Sequence, residues 1–222
     1  MDEHNMKKLK VSPSIAAGNL MNLEAEVRKL ELSGADSIHF DVMDGHFVPL
    51  LTLGIPLIEQ MRKITLMPLD VHIMVSNPDM VFQDYLNAGA DILTFHIEST
   101  PHAHRLCTKI KDFGKKAGVA LNPATHWKDV EFLLTEIHQV TVMTVNPGFS
   151  RQPHLNLVHK KIEELSAYRK QNGLSFEIQV DGGVHHENAA TLKALGVDTV
   201  VAGGAIFNFS DYKEAVDRIK SC

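Results

Sequence analysis

Ser37-Ile38-His39-Phe40-Asp41 is a short apolar run with two polar side chains set two residues apart. Successive side chains of a strand face opposite ways, so His39 and Asp41 share one face while Ile38 and Phe40 take the other. Two further runs, Leu69-Asp-Val-His72 and Phe176-Glu-Ile-Gln-Val-Asp181, also close on a ligand-type residue. His39, Asp41, His72 and Asp181 thus end three strand-like segments, and one barrel interior can gather all four.

Working outward, the chain repeats a short apolar or β-branched run, a turn rich in Gly, Pro, Asn or Asp, and a longer stretch of helical periodicity. The spacing predicts strands near 9–15, 36–41, 69–74, 91–96, 118–121, 140–145, 176–180 and 198–202. It predicts helices over 23–32, 56–62, 80–88, 104–116, 128–137, 155–171, 187–195 and 212–220, where apolar residues recur at three and four. Asn77-Pro78-Asp79 and Ser210-Asp211 carry the residue types that cap helix starts. Eight units of about equal length, without linker composition or an inserted run, read as one domain over 1–222 and as a closed (β/α)8 TIM barrel. An open doubly wound sheet also alternates strand and helix, but equal units favour closure. In such a barrel the working residues sit at the C-terminal ends of strands, where the four ligand-type residues fall.

Composition narrows the function. The chain has 222 residues and a formal charge of −5, with no Lys/Arg-rich block and no aromatic-basic interleaving, which argues against a nucleic-acid partner. No apolar run approaches the ~20 residues of a membrane span, and the N-terminus lacks the apolar core of a signal peptide. Cys107 and Cys222 are too few and too far apart for a disulfide frame, as expected for a cytoplasmic protein. Helical faces with exposed apolar residues suit a homo-oligomer.

Two imidazoles and two carboxylates make a borderline N/O set that accepts one divalent Zn, Fe, Mn or Co ion. Of the 13 histidines, His102, His104, His126, His138, His154 and His159 fall in predicted turns or helices and read as solvated. His96 ends Leu93-Thr-Phe-His96 and faces the barrel mouth, in a supporting rather than ligating role. His46, His185 and His186 lie in loops beyond ligand-bearing strands and stay open as ligands. Glycines end the last three strands, in Val145-Asn-Pro-Gly148-Phe149, Val180-Asp-Gly182-Gly183 and Val201-Ala-Gly203-Gly204. Any one of them reads as a tight turn, but two Gly-Gly pairs after strands seven and eight fall where barrels hold phosphate, which implies a phosphorylated substrate. Met43, Met74 and Met143, at or just after strands two, three and six, read from composition as core filler.

Ser12-Pro-Ser14-Ile, His39-Phe-Asp-Val-Met-Asp-Gly-His-Phe-Val-Pro49, Asp70-Val-His-Ile-Met74, Val142-Met-Thr-Val-Asn-Pro-Gly-Phe149 and Val180-Asp-Gly-Gly-Val184 resemble, in order and over nearly the whole chain, the ribulose-phosphate 3-epimerase family. The resemblance implies interconversion of D-ribulose 5-phosphate and D-xylulose 5-phosphate, with one divalent metal on His39, Asp41, His72 and Asp181. It implies Asp41 and Asp181 as the proton-transfer pair, Ser14 and His72 as substrate contacts, and Gly148 with the two Gly-Gly pairs as the phosphate cradle. It places Met43, Met74 and Met143 along the reaction pocket, shielding an enediolate from water.

Three departures bear on the length of the sugar. Leu50 follows Phe-Val-Pro49 where the family usually has Asn, Ser150-Arg151 follows Phe149 where it usually has Gly-Gly, and Gly203-Gly204 replaces Gly-Ser. Phe149, Ser150 and Arg151 are candidates for the phosphate site, and Arg151 has two open readings, a phosphate contact or an outward solvated charge. A 3-epimerase of a six-carbon ketose phosphate such as allulose 6-phosphate is the nearest alternative. An inactive phosphosugar-binding barrel has no need of two acid/base carboxylates, and a lyase would place at a strand end the Lys that none here offers.

Overall fold

The computed structural model describes residues 8–52 and 54–222. Eight strands, β1 (Lys10–Pro13), β2 (Ile38–Met43), β3 (Leu69–Met74), β4 (Ile92–His96), β5 (Lys116–Leu121), β6 (Gln139–Met143), β7 (Glu177–Asp181) and β8 (Thr199–Ala202), pair in parallel in the order β1-β8-β7-β6-β5-β4-β3-β2. The two ends of that order meet through a parallel bridge between Ser14 and His39, which closes the barrel beside the predicted ligands. The connecting helices are α1 (Leu23–Ser33), α2 (Ile55–Ile64), α3 (Pro78–Ala88), α4 (Ala103–Asp112), α5 (His159–Gln171), α6 (His186–Ala194), a short α7 (Gly204–Phe207) and α8 (Tyr212–Lys220).

Strand alternation builds the wall. Ile38, Phe40, Val42, Val71, Ile73, Leu93, Phe95, Val119, Val140, Val142, Ile178 and Val180 belong to one buried apolar cluster with helix residues such as Val27, Leu30, Ile58, Leu106, Ile162 and Val216. Each large side chain buried there contributes roughly 1.5–3 kcal/mol. Gly34 (φ 79°) and Gly89 (φ 118°) end α1 and α3 in the left-handed conformation. Asp211 caps α8, its side chain accepting from the Lys213 and Glu214 N–H groups. The expected cap at Asn77 is not made by its side chain, and Pro78, whose φ is already helical, starts α3 instead.

Two predicted helices differ. The 104–116 segment stops at Asp112, because Gly114 turns left-handed (φ 72°) and Lys116 opens β5. In place of a helix over 128–137 the chain forms a 3-10 stretch, Trp127–Leu133, whose buried Trp127, Val130 and Leu133 recur every three residues, the period of that tighter helix.

The barrel interior is polar where aliphatic layers are usual. Gln139 on β6 donates from Nε2 to Asp70 Oδ1 across the barrel at 3.2 Å and to Thr94 Oγ1 at 3.0 Å. Gln179 on β7 donates from Nε2 to Asp70 Oδ2 at 2.7 Å, while Thr141 Oγ1 donates to Gln179 Oε1 at 2.8 Å. A carboxylate as buried as Asp70 stays ionised only when its lone pairs are met, and these donors meet them. Gly118 makes the room: a Cβ there would lie 2.2 Å from Thr94 Oγ1 and 2.9 Å from Gln139 Cγ.

Candidate active site

The register sets the four candidate ligands side by side. Asp41 pairs with His72 and His39 with Asp70 across β2 and β3, while Asp181 ends β7 beside Met143. His39 Nε2 lies 3.3 Å from Asp41 Oδ1 and 3.9 Å from Asp181 Oδ2; His72 Nδ1 lies 3.4 and 3.6 Å from the same two oxygens. The four residues each offer one donor atom, all within 4.8 Å of one another, and form the one such group of three or more among the described residues. His46, His185 and His186 are not part of it.

These edges suit an ion. Four N/O donors arranged as a tetrahedron about 2.1 Å from a centre lie about 3.4 Å apart. His72 Nδ1 is buried without a hydrogen-bond partner, too far from either carboxylate for a well-made bond, and it points between them. An unpartnered nitrogen aimed at two carboxylates marks a place for a cation.

The electrostatics agree. Burial alone works to lower His39, but Asp41 and Asp70 hold it well above the ordinary histidine value. His72 is likewise raised against burial, by Asp181 and Asp41. Burial works to raise the Asp41 carboxyl, yet His39 and His72 beside it hold it far below the usual range. The carboxylates thus create a field that demands positive charge.

Each imidazole has a partner on its far nitrogen. His39 Nδ1 lies 2.9 Å from Asp70 Oδ2, so a proton there leaves Nε2 free to ligate, the usual outer support of a metal-bound histidine. His72 Nε2 lies 2.9 Å from His96 Nε2, and His96 Nδ1 lies 3.2 Å from Glu98 Oε2. Burial drives His96 down to about 4, so it is a neutral imidazole at pH 7. His96 thus touches His72, one of the candidate ligands, directly. Ser14 Oγ donates to Asp41 Oδ2 at 2.7 Å, leaving Asp41 Oδ1 to face the histidines.

Above the quartet opens a cavity of about 1050 Å³. Ser14, Asp41, Asp181, Met43, Met74 and Met143 line its floor and walls, and Gly148, Phe149, Ser150, Arg151, Gly182, Gly183, Gly203 and Gly204 line the side toward the last three strands. His39 and His72 are fully buried beneath it. Gly182 (φ 123°) and Gly183 (φ 62°) admit no side chain: a Cβ would reach Val145 Cγ2 at 2.5 Å and His154 N at 2.7 Å respectively. Arg151 itself takes a left-handed φ of 63°, a conformation that favours glycine, and is exposed at the rim. His154 is not the solvated residue expected. It is half-buried on the cavity wall, with Nδ1 3.1 Å from the Gly182 carbonyl and Nε2 2.9 Å from His159 Nε2, and burial lowers its pKa. His138 is also partly buried, which lowers its pKa. Gln139, Gln179 and Glu98 carried no sequence signal, and Asp70 stood only as the start of Asp70-Val-His-Ile-Met74 without a role, since these roles depend on contacts between strands.

A family model described as the ribulose-phosphate 3 epimerase family matches residues 10–207. The chain is 43% identical over 213 residues to the ribulose-phosphate 3-epimerase of Bacillus subtilis, covering 96% of this chain and 98% of that one. It is 42% identical over 223 residues to the chloroplastic ribulose-5-phosphate-3-epimerase of Arabidopsis thaliana, covering all of this chain and 79% of that one. Among solved structures, KGPDC from Streptococcus mutans superposes with a TM-score of 0.68 at 16% identity over 96% of both chains, a likeness of fold alone.

Proposed function

The chain belongs to the ribulose-phosphate 3-epimerase family and is an epimerase, and from that premise we propose that it interconverts D-ribulose 5-phosphate and D-xylulose 5-phosphate through an enediolate, with Asp41 and Asp181 as the proton-transfer pair. The observation that carries this reading is that two carboxylates from β2 and β7, strands separated in the barrel by β1 and β8, reach the floor of one cavity beside the same two imidazoles.

Epimerisation next to a ketone removes a proton from one face of the carbon and returns one to the other. Two acid/base groups must therefore flank it, one acting as base while the other acts as acid. Asp41, pinned by Ser14, is placed to exchange a proton on one face, and Asp181 supplies the opposite face. One divalent ion, Zn, Fe, Mn or Co, on His39 Nε2, His72 Nδ1, Asp41 and Asp181 would supply the positive charge that stabilises the enediolate oxygens. Met43, Met74 and Met143 keep water from the reacting carbon. Gly148, Phe149, Ser150 and Arg151, with the pairs Gly182-Gly183 and Gly203-Gly204, all lining the cavity, would receive the phosphate on backbone N–H groups, and Ser14 and His72 would orient the sugar.

Comparison of kcat/KM for ribulose 5-phosphate and allulose 6-phosphate, before and after chelation and metal return, tests this. The pentose phosphate should be preferred, with activity lost on chelation and restored by a divalent ion. Preference for the hexose phosphate would move the function to the six-carbon substrate that Ser150 and Arg151 leave open.

A further inference from the structure

We propose that Glu98, acting through His96, is a positioning residue that sets which nitrogen of His72 is free to bind the ion. The inference rests on the proposed metal site. Glu98, just past the end of β4, is anchored on the β5 side: its Oε1 accepts from the Asn122 N–H at 2.9 Å and from the Thr125 hydroxyl. Its Oε2 is left for His96 Nδ1 at 3.2 Å. The His96 ring lies 27° from the plane of His72 and packs against Phe47, with ring centroids 4.8 Å apart.

A carboxylate only accepts, so His96 must carry its proton on Nδ1 and accept at Nε2. His72 Nε2, 2.9 Å away, must then be the donor, which in the neutral ring leaves His72 Nδ1 without a proton. That is the buried, unpartnered nitrogen aimed at Asp41 and Asp181. One carboxylate at the barrel rim thus fixes a lone pair two residues away, as Asp70 does directly for His39.

Glu98→Gln reverses the logic in nearly the same shape. Its single carbonyl oxygen is claimed by the two donors, Asn122 N–H and Thr125 hydroxyl, so its NH₂ faces His96 Nδ1. His96 then accepts at Nδ1 and donates from Nε2, and His72 is left with its proton on Nδ1, pointing into the site.

Nitrogen-15 NMR of the histidines in the metal-free full chain, at alkaline pH where the rings are neutral, reads this without any variant. The expected result is His72 protonated on Nε2 and His96 on Nδ1; the opposite pair of tautomers overturns the proposal. In Glu98→Gln both tautomers should invert, and Co(II) affinity, read from its visible absorption against a competing chelator, should fall about ten- to a hundred-fold. Unchanged tautomers with unchanged Co(II) affinity in a folded Glu98→Gln protein would also overturn it. Wild-type protein that takes up no Co(II) while showing the expected tautomers would sink the metal reading and leave the relay standing.

Discussion

At the scale of single residues, the two carboxylates are distinguished by how they are held. Asp41 is fixed by the Ser14 hydroxyl and flanked by both imidazoles, and Asp181 meets those imidazoles from the other side. Asp41→Asn and Asp181→Asn each remove one acid/base group and one anionic donor while keeping the shape. Positioned acid/base catalysis is worth roughly 10²- to 10⁴-fold, so each variant should lose at least that much kcat while keeping its circular dichroism. Near wild-type turnover in either would refute the two-base assignment. The cluster of His39, Asp41, His72 and Asp181 could be anticipated from the sequence because strand alternation puts residues two apart on one face. Asp70 and Glu98 could not, since each earns its place from a neighbour on another strand or loop, which only the register reveals.

At the scale of elements, Gly118 shows what periodicity conceals. Within β5 it read as an ordinary strand residue, yet a glycine inside a strand often marks a close approach, and here Thr94 and Gln139 occupy the space of its side chain. Gly118→Ala should force the polar layer apart and cost about 1–3 kcal/mol, seen as a lower urea midpoint; an unchanged midpoint would mean that the layer is looser than its hydrogen bonds indicate. The eight strands were legible because each has a continuous apolar outer face. The segment over 127–133 was not, since apolar spacing of three fits both a helix and the 3-10 turn it forms. The glycines of the cavity were placed by their position after the last strands and the methionines by the resemblance, and the half-buried His154 was missed because a turn residue gives no sign of which wall it will face.

At the scale of the whole molecule, charge couples the site to stability. Burial works to raise Glu98, but His96 and Thr125 hold it down to about 2, against 4.5 for a free carboxyl. Asp44 is also lowered, by the Ser76, His46 and Phe47 N–H groups acting against burial. Depressed carboxylates contribute stability that is present above their unfolded values and lost as pH falls through the folded ones. His39 and His72 are raised above 6.5, so in the metal-free protein their contribution is full below 6.5 and lost as pH rises through the folded values. His96, driven down to about 4, works the other way, and its contribution is full only above 6.5, so chelated protein should have its highest urea midpoint near pH 6.5; a midpoint still rising above pH 8 would contradict this. Among the described residues no helix is long and apolar enough to cross a membrane.

The central claim is a proton removed from and returned to one carbon beside a divalent ion. Incubation with ribulose 5-phosphate in heavy water, with and without a chelator, reads that step directly by mass spectrometry and NMR. The account predicts deuterium at C3 in the metal-loaded sample and none in the chelated one; no exchange at C3 with any of Zn, Fe, Mn or Co would contradict it.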